Sequence, residues 1–257
     1  MMPEFHILVP ARLASTRLPD KPLADLGGRA LVLRVLDRAR QSAASSVHVA
    51  TDSARIAELV QADGGSVLMT RADHPSGTER LAEAVAQIGL DDDAIVVNLQ
   101  GDEPLMPVAC VHQVVELLAA WPQADMATLW WPIEDEAEWR NPNAVKLVAD
   151  AKGRALYFSR SPIPWPRNRG YRSGDGCRHL GLYAYRVAAL RAWPGLPDSP
   201  LEDLEALEQL KALTAGWTIL CARANERVPA GIDTPEDLER VRRQHFSWAS
   251  ESWSSES

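Results

Sequence analysis

The sequence predicts an α/β protein built on a doubly wound, mostly parallel sheet. Short apolar runs recur through the first half at residues 5–9, 47–50, 66–69 and 94–99. Their apolar character is continuous rather than alternating, which marks strands covered on both faces. Between them lie stretches of helical pattern at 30–44, 53–62, 77–88 and 107–120. Strand and helix alternating at this spacing is how parallel crossover units are built.

Taken in order, the first strand stops at Pro10, the second at Thr51-Asp52, and the fourth reads Ala-Ile-Val-Val-Asn-Leu before Gln100, Gly101 and two acids. In such sheets ligands bind beyond the carboxyl ends of strands, so the segments after Val9, Met69 and Leu99 are where chemistry is expected. The second half is less regular. Residues 126–131, 144–148, 155–158 and 180–185 read as strands, some antiparallel. Residues 161–177, rich in Pro, Gly and Arg, read as an exposed excursion. Leu201, Leu204, Leu207, Leu210 and Leu213 recur every third position. On a helix that stripe drifts around the axis, which predicts one largely covered helix. Thr234-Pro235 opens a last helix, Thr as cap and Pro at its first position. One domain is expected over residues 1–246, followed by a disordered tail at 247–257.

Composition narrows the function. With 27 Lys plus Arg against 35 Asp plus Glu, the formal net charge is −8, which argues against a general nucleic-acid binder. No apolar run reaches the roughly 20 residues that span a bilayer, so no membrane association is expected. The N-terminus shows no secretory signal pattern. Cys110, Cys177 and Cys221 are odd in number and far apart, which fits a reducing compartment, hence the cytoplasm. Of the 27 cations only four are Lys: Lys21, Lys146, Lys152 and Lys211.

Lys21 closes the most informative segment, Pro10 to Lys21, where Arg12, Arg17 and Lys21 follow the first strand in a stretch too broken by Pro for a helix. Such a loop can wrap a polyphosphate with cations and backbone N–H groups. It is neither a P-loop nor a dinucleotide fingerprint. Gln100-Gly101-Asp102-Glu103 places carboxylates at the ligand end of the sheet, suited to a Mg²⁺ ion that bridges phosphates. Asp233 is a second such acid, because Thr234 can cap the helix without it. Ser76 and Glu79 form a capping box. Flanked by Arg71 and Arg80, the same helix start equally suits an anion or a nucleobase.

The motifs in combination resemble one family. In order they are Pro10-Ala11-Arg12-x-x-Ser15-x-Arg17-Leu18-Pro19-x-Lys21, Arg71-Ala72-Asp73-His74-x-Ser76-Gly77-Thr78-Glu79-Arg80 and Gln100-Gly101-Asp102-Glu103-Pro104. Then come Asn141-Pro142-Asn143-x-Val145-Lys146, Tyr157-Phe158-Ser159-Arg160, His179-x-Gly181-x-Tyr183, Leu207-Glu208-Gln209-Leu210 and Asp233-Thr234-Pro235-Glu236-Asp237-Leu238. They resemble the 3-deoxy-manno-octulosonate cytidylyltransferases from about Phe5 to about Arg243. The CMP-sialate synthetases are less alike after the first motif.

The resemblance implies a three-layer Rossmann-like nucleotidyltransferase fold with a mixed, mostly parallel sheet. It also implies a smaller mixed region near 125–185 for dimerisation and the sugar side. It implies transfer of CMP from CTP to the anomeric hydroxyl of 3-deoxy-D-manno-octulosonate (Kdo), with release of pyrophosphate, for lipopolysaccharide synthesis, by a homodimer. A related acid sugar as acceptor, or a silent nucleotide-binding homologue, stays open beside it.

Carried over motif by motif, the nucleotide site would hold Pro10, Ala11, Arg12, Arg17, Lys21, Arg71, Ser76 and Gly77. Asp102 and Asp233 would hold Mg²⁺ and, with Arg12 and Lys21, carry catalysis. Gln100, Arg160, His179, Tyr183, Glu205 and Gln209 would line the sugar pocket, Arg160 taking the Kdo carboxylate. Two positions depart from the family: Lys211 stands where Arg is common, and Asp20 where the loop often has Gly.

Overall fold

The computed structural model describes residues 2–14 and 17–245, so the tail expected at 247–257 lies outside the described residues. The first half runs β1 (Phe5–Ala11), α1 (Leu31–Arg40), β2 (Ser46–Thr51), α2 (Ala54–Ala62), β3 (Ser66–Met69), α3 (Gly77–Ile88), β4 (Ile95–Asn98) and α4 (Val108–Ala119). The second half runs β5 (Met126–Pro132), α5 (Glu136–Arg140), β6 (Lys146–Ala149), β7 (Ala155–Ser159), β8 (Cys177–Arg186), α6 (Val187–Ala192), α7 (Pro200–Glu205), α8 (Gln209–Thr214), β9 (Ile219–Arg223) and α9 (Pro235–His245).

Both halves feed a single sheet in the order β3-β2-β1-β4-β8-β5-β9, with β6 and β7 off this path. β3, β2, β1 and β4 pair in parallel, and β9 pairs in parallel with β5. β8 lies antiparallel between β4 and β5, so the sheet is mixed but mostly parallel, as expected. Alternate residues of the apolar strands go to opposite faces. Phe5, Ile7 and Val9 of β1 and Ile95 and Val97 of β4 join one core with α1, α2 and α4. Leu8 and Val96 join another with Leu81 and Val85 of α3 and with Leu190, Trp193 and Leu210. Two apolar layers around one sheet give the three-layer architecture, and they explain why these strands read as continuous apolar runs.

Local signals set the helix starts. Ser53 Oγ accepts from Ile56 N, and Ser76 Oγ accepts from Glu79 N at 3.2 Å, the N-cap half of the expected capping box. α3 ends at Gly89 in the left-handed conformation.

One expectation needs correction. The leucine stripe is not one covered helix: the chain breaks at Ala206, whose φ of 49° and ψ of 52° are left-handed. Leu201 and Leu204 on α7 stay exposed, whereas Leu207 and Leu210 are buried. The break has a long-range cause, because Arg160 Nε and Nη2 donate to the carbonyls of Glu205 and Ala206 at 2.6 and 3.1 Å, ending the helix from outside. The 161–177 excursion is largely exposed, as expected, and is anchored at a few points. Tyr171 Oη donates to Ile133 O at 2.6 Å, and Trp165 and Tyr171 both stack on the buried Trp139 of α5.

An L-residue in the left-handed region costs about 1–2 kcal/mol, partly offset in Gly by chain entropy. Ala206→Gly is therefore expected to stabilise the protein by about 0.5 kcal/mol, seen as a small rise in thermal midpoint. A lower midpoint would contradict strain at this residue.

Candidate active site

Between β2 and β4, β1 is the point where the strand order reverses, and the loops leaving β1 and β4 must part there to open a crevice. They do so from a very close start. A Cβ on Gly101 would sit 2.7 Å from the Pro10 carbonyl oxygen, so only Gly lets the β4 loop cross the β1 loop. Beyond this contact opens a cavity of about 380 Å³. Its walls include Pro10, Ala11, Arg12, Arg17 and Lys21 from the first loop, Ser76, Gly77 and Arg80 from α3, Gln100 and Asp102 from the β4 loop, and Asp233.

Asp233 reaches the site through the main chain. Ile232 N donates to Asp102 O at 3.0 Å, while the Ile232 side chain is buried with Leu26, Leu31, Leu238 and Val241. Thr234 Oγ1 accepts from Asp237 N at 3.2 Å and so caps α9, leaving Asp233 free of that task, as the sequence suggested. Its carboxylate turns instead to Lys21, whose Nζ donates to Asp102 Oδ2 at 2.7 Å and Asp233 Oδ1 at 2.9 Å. Arg17 Nη2 lies 3.3 Å from the same Asp233 oxygen. Burial alone would lower the Lys21 pKa, but the adjoining Asp102 and Asp233 carboxylates raise it overall, so the ammonium stays charged. Next to it, burial and then Asp102 push Glu103 up to about 8, which keeps that carboxyl largely protonated at neutral pH.

Asp20 precedes Lys21 with φ 52° and ψ 28°, left-handed geometry that accounts for glycine's frequency at this loop position. Asp is among the non-glycine residues that tolerate it, and its carboxylate accepts from Arg55 Nη1 at 2.9 Å.

Not every expected nucleotide residue lies here. Arg71 faces solvent beside Asp73 and Glu83, outside the main cavity. Arg80 occupies the wall instead, its guanidinium 3.2 Å from Asp52 and bonded to Thr70. Burial lowers the Arg80 pKa, Asp52 opposes this, and Arg12 lowers it further, so two guanidiniums share one cavity. Sequence reasoning noted Arg80 but assigned Arg71. Helical spacing accounts for its place: Arg80 is four residues after Ser76 and so lies on the same side of the α3 start. His74 also lines the cavity; its Nε2 pairs with Glu83.

Of the sugar-side set, only Gln100 lines this cavity. A Cβ on Gly181 would meet Gln100 Cγ at 3.9 Å, so β8 begins the second cluster directly alongside. There His179 sits between Phe158 and Tyr183, with ring centroids 5.1 and 5.2 Å away, and its Nε2 lies 3.0 Å from Thr128 Oγ1. The Tyr183 hydroxyl is buried with no hydrogen-bond partner among the described residues, and burial raises its pKa well above that of a free phenol.

Glu205 accepts from Ser159 Oγ at 2.6 Å and from Arg160 N at 2.9 Å. Arg160 spends Nε and Nη2 on the α7 carbonyls and Nη1 on Pro142 O at 3.0 Å. Two of its five N–H groups are left for the carboxylate it was expected to bind. Gln209 is buried at the start of α8. Lys211 lies 3.6 Å from Glu79 of the capping box, which gives this departure a local partner.

Lys146, whose role the sequence left undefined, is fully buried. Its Nζ donates to the carbonyls of Asn141, Ala144 and Arg160 at 2.8, 2.6 and 2.7 Å, pinning the Asn-Pro-Asn turn to the end of β7.

Paired carboxylates and a basic loop at the reversal point of a mostly parallel sheet define a nucleotidyltransferase-type enzyme. Comparison with known proteins names the family. A family model described as cytidylyltransferase matches residues 6–220. A 3-deoxy-manno-octulosonate cytidylyltransferase of Hahella chejuensis (strain KCTC 2396) is 52% identical over 248 residues, 94% of this chain and 97% of that protein. Its counterpart from Serratia proteamaculans (strain 568) is 55% identical over 243 residues, 93% of this chain and 97% of that one. A solved CMP:2-keto-3-deoxy-manno-octonic acid synthetase complexed with CTP superposes with a TM-score of 0.87 at 42% identity, covering 94% of this chain and 98% of its own. The chain belongs to the 3-deoxy-manno-octulosonate cytidylyltransferase family.

Two outcomes follow from the geometry. Gly101→Ala forces its Cβ against the Pro10 carbonyl, which cannot rotate away; it is expected to cost about 1–3 kcal/mol and weaken CTP binding. An unchanged midpoint and KM for CTP would contradict this packing. Burial pushes His179 from 6.5 to about 3, so the unfolded chain takes up a proton in that window and the folded one does not. His179 therefore contributes a loss of stability as pH falls from 6.5 toward 3, and His179→Gln is expected to flatten that part of the stability curve. A parallel curve for the variant would argue against a neutral, buried imidazole.

Proposed function

We propose that the protein transfers CMP from CTP to the anomeric hydroxyl of Kdo, releasing pyrophosphate and giving CMP-Kdo for lipopolysaccharide synthesis. The observation that carries this reading is the convergence of Lys21, Arg17, Asp102 and Asp233 at one end of the cavity. The relatives named above bear that activity in their names, and the similar solved structure holds CTP.

In this reading Arg12, Arg17 and Lys21 hold the triphosphate and stabilise the departing pyrophosphate. The α3 N-terminus at Ser76 and Gly77 presents backbone N–H groups and open space, since a Cβ on Gly77 would meet nothing within 4 Å. Arg80 adds a fixed positive charge to the same wall.

Asp102 and Asp233 suit Mg²⁺. Their oxygens converge on a single ammonium position, and hard carboxylate donors are the right chemistry. Among the described residues there is no group of three or more His, Cys, Asp or Glu able to hold a metal, so phosphate and water oxygens have to complete the shell. Bound there, the ion would supply charge neutralisation across the phosphates and the incoming hydroxyl. No protein nucleophile is needed: the residues orient two electron-rich partners against their repulsion.

Gln100 joins this end to the sugar side. The unpartnered Tyr183 hydroxyl is the group a polyhydroxylated acid would satisfy, and neutral His179 fixes its neighbourhood. Pairing of two chains is proposed through the 125–185 region, where Trp165 is exposed although stacked on Trp139. A cytoplasmic location is proposed from the three free cysteines and the nucleotide substrate. No helix among the described residues is long and apolar enough to cross a membrane.

A pyrophosphate-coupled assay with CTP, Mg²⁺ and Kdo tests the reading; release that does not depend on Kdo overturns it. Asp102→Ala and Asp233→Ala are each expected to lower turnover by about a thousandfold or more with folding intact, as for loss of a central electrostatic group. Near-wild-type rates in either variant would remove it from the metal site.

A further inference from the structure

We propose that Lys21 is a resident counter-ion that keeps the Asp102–Asp233 pair closed to free divalent cations, so that a metal enters only together with a nucleotide. The inference rests on the metal reading of these two acids and adds the order in which their site is filled.

The geometry carries it. One ammonium touches both carboxylates, at 2.7 Å to Asp102 Oδ2 and 2.9 Å to Asp233 Oδ1. It thus stands where an ion bridging the same two oxygens would have to stand. Arg17 lies 3.3 Å from the Asp233 oxygen already bound by Lys21. Two formal positive charges therefore face two carboxylates, and the pair offers a free dication little net attraction.

The cations differ in how they are held. The Arg17 side chain is 61% exposed, whereas that of Lys21 is 13% exposed and followed by the buried Pro22. Lys21 is therefore the stopper, and Arg17 a loosely held supplement. Triphosphate reverses the balance: its oxygens give the ammonium an alternative partner and supply ligands that two carboxylates lack. A compact ammonium on a flexible four-carbon stem can move between these partners without the fixed fork of an Arg.

Mn²⁺, followed by the EPR signal of the free ion, provides a test independent of turnover. Without nucleotide, wild-type protein is expected to bind Mn²⁺ about tenfold or more weakly than Lys21→Met or Lys21→Gln, the size expected from removing one adjacent cation. The gain should vanish in Lys21→Met combined with Asp102→Ala. Wild-type protein together with CTP should take up more Mn²⁺ than CTP alone, a measurement that needs no variant. Equal affinity of wild type and both Lys21 variants overturns the counter-ion inference while leaving the metal site standing. Absence of protein-dependent Mn²⁺ binding in every case, with or without CTP, removes the metal assignment itself and the inference with it.

Discussion

The hydrogen bond from Ile232 N to the Asp102 carbonyl is the constraint on which the site depends. It fastens a segment near the end of the described chain to the loop after β4. The small cluster of Leu26, Leu31, Ile232, Leu238 and Val241 supplies the apolar burial that keeps it there. Without it, Asp233 would be an isolated turn residue and Lys21 would face one acid. With it, a strand end, a basic loop and a distant helix start meet around one ammonium. Gly101 permits the same convergence from the other side by letting the β4 loop lie against Pro10.

Electrostatics is local here. The chain carries a formal charge of −8, yet its cavity gathers Arg12, Arg17, Lys21 and Arg80. Three of the four lysines have defined positions: Lys21 between two carboxylates, Lys146 on three carbonyls, and Lys211 beside Glu79. Lys152 is an exposed residue of a turn. A buried ammonium needs an acceptor for each of its N–H donors, and the three carbonyls around Lys146 provide them without an acid. Overall charge therefore excluded a polyanion surface and said nothing against a polyanion pocket.

What the sequence disclosed follows the same division between local and distant causes. β1 and β4 were legible because both faces are covered, which leaves an unbroken apolar run. The starts of α3 and α9 were legible because a cap is a local event. The break at Ala206 was not, because the Arg160 side chain that imposes it lies far away in sequence. β9, only five residues of mixed character, takes its strand form from pairing with β5. The convergence of Arg17, Lys21, Asp102 and Asp233 on one cavity was foreshadowed by motifs in the sequence. That Arg80 lines the cavity wall while Arg71 points to solvent was not legible, because it depends on how α3 packs against Asp52 and Thr70.

The two ends of the site work by opposite physics. At the end proposed for the nucleotide the groups are charged, and Arg17, Asp102 and Asp233 are partly exposed. At the end proposed for the sugar they are desolvated: His179 is neutral, Tyr183 holds its proton, and Arg160 is tied to carbonyls at the α7–α8 break. A buried hydroxyl without a partner costs about 1–3 kcal/mol, and the fold tolerates that cost at Tyr183 beside the strand position that touches Gln100. In the proposed reading, the one Tyr183 hydroxyl left without a partner among the described residues would favour a polyhydroxylated acceptor, and the charged groups of the first loop would capture the nucleotide. Gln100 is the uncharged residue at the junction, lining the cavity and lying against Gly181 of β8.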